Sequence, residues 1–368
     1  MIQIHCNLCG FVPGRTGGAQ VFLEGLLAAL NKFEELEFTF FGSSKTEQWL
    51  TSFLGSAFSF REFCSPSPNL LNRFLAIQKL KRIPSEDQII WSPLNQGVGT
   101  GHRIKEVLTI HDLIPLHYSR SNPTYKRSWI REWSFRARWA KSMSVSRKAA
   151  AVVTVSESNV DELQRAIGSE SPKVYGVPNG IDEPKKIAAS QRSWTYSGKP
   201  EILAVTSGSM PHKGFGTLEK VAEALPDFTF LVVGKHCTAS RPNIKHTGRL
   251  SIEALNEIYQ TSSALFFPSR IEGFGLPVIE ALVFGTPVVA TDIPVLREVG
   301  GPESCYFKLD DIEAATDHLR SVVSSRELAE KMSAKGKEHA VEFTWEAAAD
   351  AYLSIFRQVS TSNQKSVS

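Results

Sequence analysis

The feature that most constrains the fold of this 368-residue chain is a repeated order of buried strand, loop and helix. Met1–Asn7, Glu106–Ile110 and Ala151–Val155 have the short, apolar composition of buried strands. Ala19–Asn31 carries apolar residues at helical spacing, and a long helix is predicted over about Pro123–Ala150. Alternation of this kind predicts an α/β fold with parallel sheets covered by helices on both faces.

The alternation stops at the polar stretch Glu183–Lys199 and starts again with the strand Glu201–Val205. A chain of this length most often forms two domains. We therefore predict an N-terminal domain over residues 1–185 and a C-terminal domain over 186–344, joined by the polar stretch. The polar tail 360–368 is predicted to be disordered.

Composition excludes several classes of protein. Hydrophobic residues make up 42% of the chain and charged residues 21%, which is typical of globular proteins. The net charge of +3 is too small to indicate a nucleic-acid-binding protein. No apolar run reaches the roughly 18 residues of a membrane span. The strand-like start at Met1–His5 does not resemble a signal peptide, so we expect a cytoplasmic protein. Five scattered cysteines indicate reduced thiols.

The segment Lys126–Lys148 combines three tryptophans with eight lysines and arginines. A helix of this composition can rest on anionic lipid headgroups, with tryptophan at the interface. It can equally be a core helix with a solvated basic face, and this second interpretation is favoured. Nucleic acid is disfavoured because no recognition motif accompanies the helix.

Candidate site residues lie in loops that follow predicted strands. These loops come after Asn7, Ile110, Val205 and Phe267. In open α/β sheets, ligands bind beyond the carboxyl ends of the strands. The clustering predicts one ligand site built from these loops.

The most informative loop runs through Gly273-Phe274-Gly275-Leu276 into a helix. Pro277 suits the first position of that helix and Gly285 its C-terminal end. The amides around Gly275 and Leu276 would form an anion site. Glu272 precedes the helix and Glu280 is predicted in its first turn, with seven residues between them. The pair suggests a ligand with both phosphate and hydroxyl groups; the alternative is an ordinary turn followed by a helix whose N-terminus favours glutamate.

Three other loops carry candidate residues. Gly17 and Gly18 open the first helix, where they either approach a phosphate or form a plain flexible turn; the G-x-G-x-x-G fingerprint is absent. His111-Asp112 ends a buried strand, where the imidazole could bond a sugar hydroxyl or serve a structural role. Lys213 lies in a glycine-flanked loop, as either a diphosphate partner or a solvated lysine.

Taken together, the motifs resemble those of the large family 4 of retaining glycosyltransferases, which have the GT-B fold. The resemblance extends over nearly the whole chain and is carried by Gly17-Gly18-Ala19, His111-Asp112, Thr154–Glu157, Pro178–Asp182, Lys213-Gly214 and Pro268–Glu280. The stretch Thr109–Leu116 resembles a subgroup with many mannosyl- and other hexosyltransferases of surface polysaccharide assembly, lipopolysaccharide included.

The resemblance implies two Rossmann-like domains with a cleft between them. The N-terminal domain would serve the acceptor and the C-terminal domain the nucleotide sugar, with a last helix over 345–359 crossing back to the N-terminal domain. The implied reaction is retaining, metal-independent transfer of a hexose, mannose favoured, from a GDP- or UDP-linked sugar to a glycan or lipid-linked acceptor. No cofactor is implied. Peripheral contact with the inner membrane surface would involve 126–148.

The resemblance also implies roles for individual residues. His111, Asp112 and Glu272 would be catalytic, with Glu272 bonding the donor sugar. Glu280 would bond the ribose and Lys213 the diphosphate. The full implied donor-binding set is Gly17, Gly18, Ser209, Lys213, Arg249, Gly273, Phe274, Gly275, Leu276 and Glu280.

One departure from the family pattern concerns a second diphosphate-binding cation. Many members carry an arginine before the motif lysine, whereas Ser209 or His212 stands there in this chain. Arg249 or Arg270 could substitute. The departure keeps open the alternative of a non-catalytic sugar-nucleotide-binding subunit. A sugar-nucleotide epimerase of the same fold is a further alternative. For a transferase we favour front-face attack over a carboxylate nucleophile.

Overall fold

The computed structural model describes residues 1–14, 17–56, 58–65, 70–82, 88–95, 97–99, 105–121, 129–168, 172–181, 199–206, 211–234 and 241–362. The strands are β1 (Ile2–Asn7), β2 (Leu36–Gly42), β3 (Ser59–Glu62), β4 (Ile89–Ser92), β5 (Lys105–Ile110), β6 (Ala151–Thr154), β7 (Val174–Gly176), β8 (Glu201–Thr206), β9 (Thr229–Gly234), β10 (Ile244–Gly248), β11 (Ala264–Phe267), β12 (Val288–Thr291) and β13 (Cys305–Phe307).

The α-helices follow the predicted alternation. They are α1 (Gly17–Leu30), α2 (Ser44–Leu54), α3 (Leu70–Leu80), α4 (Ile114–Ser121), α5 (Trp129–Ser146), α6 (Val160–Ile167), α7 (Phe215–Ala224), α8 (Ile252–Thr261), α9 (Leu276–Val283), α10 (Pro294–Gly300), α11 (Ile312–Ser324), α12 (Arg326–Ala340) and α13 (Trp345–Thr361).

The chain forms two compact units. The first comprises Met1–Leu113, Arg127–Asp182 and Phe343–Ser368, and the second comprises Ile114–Lys126 and Glu183–Glu342. The predicted linker over 183–199 lies almost wholly outside the described residues, so the predicted domain boundary there stays a prediction.

Each unit is built on one parallel sheet. The first sheet has the strand order β3-β2-β1-β4-β5-β6-β7, and the second has β10-β9-β8-β11-β12-β13. All neighbouring strands run parallel. The interior strands β4, β6, β11 and β12 are buried throughout, as expected for sheets covered on both faces. The prediction of two Rossmann-like parallel-sheet domains is confirmed.

The long helix predicted over Pro123–Ala150 is only partly observed. The structure has α5 over Trp129–Ser146, and residues 122–128 lie outside the described part. Met143 and Val145, near the C-terminal end of α5, are buried in the core beneath β5 and β6. This end of the helix therefore packs as a core helix, while Lys141 is exposed. Within the described residues, no helix is both long and apolar enough to cross a membrane.

Helix α13 belongs to the first unit and packs against α1. Gly25 of α1 makes room for the Trp345 indole, because a Cβ at Gly25 would lie 2.0 Å from its ring. Tyr352 bonds Thr109 of β5 through its hydroxyl at 2.8 Å and packs on Trp91. The helix extends to Thr361, so it includes two residues of the predicted tail.

We expect Gly25→Ala to destabilise the first unit. The added methyl meets a rigid indole in a filled core, and overpacking of this kind costs about 1–3 kcal/mol. That cost exceeds the gain of up to about 1 kcal/mol in helix propensity. Denaturant unfolding of the purified chain would measure the change.

The matched control is Gly216→Ala, a helical glycine of α7 whose Cβ would meet nothing within 4 Å. It gains helix propensity without a clash, so its stability should be unchanged or higher. Equal effects of the two substitutions would contradict the packing of Trp345 on Gly25.

Candidate functional site

In both sheets the chain order reverses between two neighbouring strands. The reversal falls between β1 and β4 in the first sheet and between β8 and β11 in the second. At such a point the loops that follow the two strands diverge to opposite faces, leaving a crevice at their carboxyl ends. The predicted site residues follow these strands or their neighbours.

The loops after β8 and β11 meet backbone to backbone. Gly214 has a left-handed φ of 68°, and a Cβ there would lie 1.9 Å from the Pro268 carbonyl oxygen. Only glycine fits this approach without a backbone shift. The Arg270 amide donates to the His212 carbonyl at 2.7 Å. The contact holds residue 213 of one loop beside residue 272 of the other.

Lys213 and Glu272 form an ion pair at this junction. The Lys213 Nζ lies 2.7 Å from Glu272 Oε1, and the two side chains are 19% and 9% exposed. The Ser269 hydroxyl donates to the same Oε1 at 2.6 Å. Among the described residues no hydrogen bond is made at Glu272 Oε2. One carboxylate oxygen is therefore held by the protein, and the second can accept from a ligand hydroxyl.

Helix α9 begins one residue earlier than predicted. Gly275 caps it in a left-handed conformation (φ 104°), so Leu276 is its first residue and Pro277 its second. A proline at this second position still removes no hydrogen bond of the helix, because the second N–H of a helix also lacks an intrahelical partner. Within the described part of the chain, the amides of Gly275 and Leu276 donate to no acceptor. Both amides are therefore available to an anion, as is usual at a helix N-terminus.

Glu280 lies in the second turn of α9, not in the first turn as predicted, because the helix starts at Leu276. The Tyr259 hydroxyl donates to Glu280 Oε2 at 2.7 Å. Burial raises the pKa of Glu280 to about 7, and the tyrosine hydrogen bond opposes this rise. Like Glu272, Glu280 has one oxygen held by the protein and one, Oε1, with no partner among the described residues.

The structure brings some predicted donor-binding residues together and leaves others apart. Gly273 and Phe274 are buried in the turn between the two glutamates. Arg249 is exposed after the edge strand β10, and no described contact joins it to Lys213. Arg270 pairs with Asp310 at 2.5 Å, so its charge is already engaged. Ser209 lies outside the described residues.

In the first unit, His111 is held by the loop after β4. Its Nε2 lies 2.6 Å from the Pro93 carbonyl, and its backbone amide donates to Asn95 Oδ1 at 2.5 Å. A carbonyl only accepts, so Nε2 carries the proton. Burial lowers the pKa of His111 to about 4. At neutral pH the ring is uncharged, and Nδ1 is an acceptor.

The other predicted residues of the first unit lie at the start of α1 and directly after His111. Gly17 and Gly18 are exposed and form the first residues of α1. Phe22 of the same helix contacts the His111 ring edge-on, with 4.6 Å between ring centroids. Asp112 follows His111 and is half-buried. At the carboxyl ends of β1 and β4, the Asn7 side-chain amide donates a hydrogen bond to the Ser92 hydroxyl at 3.4 Å.

Sequence reasoning missed the residues that orient the predicted ones. Ser269 stands within Pro268–Glu280, but nothing in the sequence gives it a role of its own. Tyr259 sits on α8, outside every motif, with no signal beyond an apolar helix position. Asn95 has a left-handed φ of 56°, which asparagine tolerates better than most residues. A solitary asparagine in a predicted loop does not reveal this in advance.

We expect ionisation of Glu280 to destabilise the unliganded protein. The folded state binds this proton more tightly than the unfolded state, because the pKa rises from 4.5 to about 7. Unfolding therefore releases a proton between these pH values, and rising pH favours unfolding. The stabilisation is fully present below pH 4.5 and lost through pH 7, a change on the order of 3 kcal/mol.

The difference in unfolding free energy between wild type and Glu280→Gln, measured from pH 4 to 8, isolates this effect. Glu280→Gln should become the more stable protein as pH rises. Glu257→Gln, at an exposed position of neighbouring α8, is the control. Its difference in unfolding free energy from wild type should not change with pH. A flat difference for Glu280→Gln too would contradict the burial of this carboxyl.

Two family models match consecutive parts of the chain. Residues 16–184 match glycosyltransferase family 4, and residues 189–339 match glycosyl transferases group 1. The chain is 26% identical over 230 residues to the O-antigen chain mannosyltransferase RfbU of Salmonella typhimurium, covering 59% of this chain and 60% of that protein. It is also 26% identical over 300 residues to the MMP alpha-(1->4)-mannosyltransferase of Mycolicibacterium hassiacum, covering 72% and 69%. The match to RfbU thus spans less than two thirds of that protein.

Solved structures share the fold at low sequence identity. Sucrose-phosphate synthase from Thermosynechococcus elongatus is similar with a TM-score of 0.74 and 17% identity, over 98% of this chain and 99% of that one. HepE of Anabaena, crystallised with UDP-glucose, is similar with a TM-score of 0.70 and 15% identity, over 97% and 100%. These likenesses show the GT-B fold, and the two family models, which together cover most of the chain, show that it belongs to the family 4 glycosyltransferases.

Proposed function

We propose that this chain transfers a hexose from a nucleotide sugar to a glycan or lipid-linked acceptor, with retention of anomeric configuration. The observation that carries the proposal is the paired arrangement of Glu272 and Glu280 around the start of α9. Each glutamate has one oxygen fixed by a protein hydroxyl, from Ser269 or Tyr259, and one available to a ligand. Two such acceptors on either side of an anion site suit the sugar and ribose hydroxyls of a nucleotide sugar.

The second unit supplies charge stabilisation for a leaving diphosphate. As the bond between the anomeric carbon and the phosphate oxygen breaks, negative charge builds on the diphosphate. Lys213 and the amides of Gly275 and Leu276 are fixed donors that stabilise this charge without reorganising. Because these donors belong to the protein, we propose that the reaction needs no metal ion.

The proposed bond change is front-face. The acceptor hydroxyl oxygen forms the new bond to the anomeric carbon on the face that the diphosphate leaves, and the hydroxyl proton passes to a phosphate oxygen. Glu272 positions the sugar and forms no covalent bond. The neutral His111 accepts a hydrogen bond from a substrate hydroxyl at Nδ1, since its Nε2 proton is donated to the Pro93 carbonyl. Asp112 follows His111 in the chain, and we propose that it is catalytic together with His111 and Glu272.

The relatives guide the choice of substrate. RfbU and the M. hassiacum enzyme are named as mannosyltransferases, which favours mannose as the transferred sugar. We propose GDP as its carrier, with UDP as the second choice. The O-antigen relative favours a role in surface polysaccharide biosynthesis. A membrane-linked acceptor would place the protein on the cytoplasmic membrane face, with 126–148 as the contact segment.

We expect nucleotide release from a nucleotide sugar to increase when an acceptor is added. The purified chain would be incubated with GDP-mannose, UDP-glucose and other nucleotide sugars, with and without oligosaccharide and lipid-linked acceptors, and nucleotide and product would both be quantified. Lys213→Ala should lower kcat by about 10²–10³-fold, the range for loss of one fixed charge-stabilising donor. Release should persist in the presence of a chelator.

Lys220→Ala is the matched control, since this lysine is exposed on α7 of the same unit. It should leave kcat unchanged. Tight nucleotide binding without turnover across the acceptor panel would contradict the transferase proposal and indicate a binding subunit. Product with inverted configuration, or loss of activity in chelator, would contradict the mechanism.

A further inference from the structure

A buried carboxylate outside the predicted site connects to His111 through one loop. Glu106 lies near the start of β5 and is 1% exposed. Its Oε1 accepts from the Val98 amide at 2.6 Å and the Ser92 hydroxyl at 2.8 Å, and its Oε2 accepts from the Gly99 amide at 3.0 Å. A buried carboxylate with three donors is stabilised only while all three remain in place.

The three donors belong to β4 and to the loop that follows it. This loop connects two parallel neighbouring strands, and its described residues, 93–95 and 97–99, form neither helix nor strand. A buried connection of this kind must find partners for its amides outside regular structure. Glu106 supplies two of them, and Gly97 lets the loop pass close, because a Cβ there would lie 2.9 Å from Glu106 Oε1.

The same loop holds His111 from its other end. Pro93 accepts from the His111 ring, and Asn95 accepts from the His111 backbone amide. Asn95 is itself fixed, since its amide donates to the Thr109 carbonyl at 3.0 Å and its carbonyl accepts from the Ser142 hydroxyl at 3.0 Å. The histidine has no other described partner for its ring nitrogens. Its tautomer therefore depends on where the loop places the Pro93 carbonyl.

We propose that Glu106 is a positioning residue for His111. Its carboxylate anchors the loop after β4 at Ser92, Val98 and Gly99, and the anchored loop fixes the ring in the tautomer that leaves Nδ1 as an acceptor. Glu106 does not touch the ring and acts only through the loop. The consequence for catalysis rests on the role of His111 in the proposed transferase. The consequence for the histidine tautomer does not.

The test is Glu106→Gln, which keeps the size of the side chain. The NH2 group of glutamine would replace one accepting oxygen of Glu106 and face an N–H or O–H donor. Two donors cannot bond each other, so the loop must shift. Ring ¹⁵N NMR of labelled histidine reads the tautomer directly, with the His111 signals identified by their absence from His111→Asn. In wild type we expect a single tautomer protonated at Nε2.

In Glu106→Gln we expect a mixture of tautomers and a fall in kcat of about 10–100-fold, the scale for misplacement of a group in an active site. The KM for the nucleotide sugar should change less than kcat, because most of the predicted donor-binding residues, Lys213 and Glu280 among them, lie in the second unit. The control is Thr109→Val on the opposite face of β5, which removes the bonds to Tyr352 and Trp91 but leaves the loop anchored. It should keep the wild-type tautomer.

An unchanged His111 tautomer in folded Glu106→Gln would overturn the proposal, whatever the activity. A changed tautomer in a chain that transfers no sugar would support the anchoring and contradict the transferase function instead. If Glu106→Gln does not fold, Ser92→Ala removes one of the three donors and must shift the tautomer in the same direction. An unshifted tautomer in Ser92→Ala would then overturn the proposal.

Discussion

The backbone contact between the loops after β8 and β11 is the constraint on which the second unit's site depends. Gly214 lies so close to the Pro268 carbonyl that no side chain fits between them. This approach, with the Arg270–His212 hydrogen bond, fixes one loop on the other. The contact already holds the backbones of Lys213 and Glu272 in place. Forming their ion pair therefore costs only the ordering of the two side chains. The glycine after the motif lysine thus serves close approach more than phosphate contact.

The ion pair also determines how charge is distributed at the site. Lys213 is partly neutralised by Glu272 before any ligand binds, and Arg270 is engaged by Asp310. The amides of Gly275 and Leu276, at the start of α9, differ from these two side chains because no described carboxylate is bonded to them. A diphosphate would draw Lys213 from Glu272 and release a carboxylate oxygen to the sugar. Donor binding and orientation of the sugar would be coupled through one exchange of partners.

Much of the fold and part of the site could be predicted from the sequence. The strand–loop–helix order determined the two parallel sheets, because short apolar runs between amphipathic helices have few other solutions. His111, Lys213, Glu272 and Glu280 stand out because their residue types follow strand ends. Their orienting partners do not: Tyr259 and Glu106 come from positions that only the packed fold brings near. The start of α9 was predicted one residue too late. The same sequence fits a helix with Pro277 in its first position or, behind a left-handed cap at Gly275, in its second.

The central claim is that the second unit holds a diphosphate between Lys213 and the start of α9. A crystal structure with the nucleotide sugar that binds most tightly tests it directly. The claim predicts Lys213 Nζ and the Leu276 amide within about 3 Å of phosphate oxygens, with Glu280 bonded to the ribose. A nucleotide bound elsewhere, with the Lys213–Glu272 pair intact and no phosphate at the Leu276 amide, would contradict it.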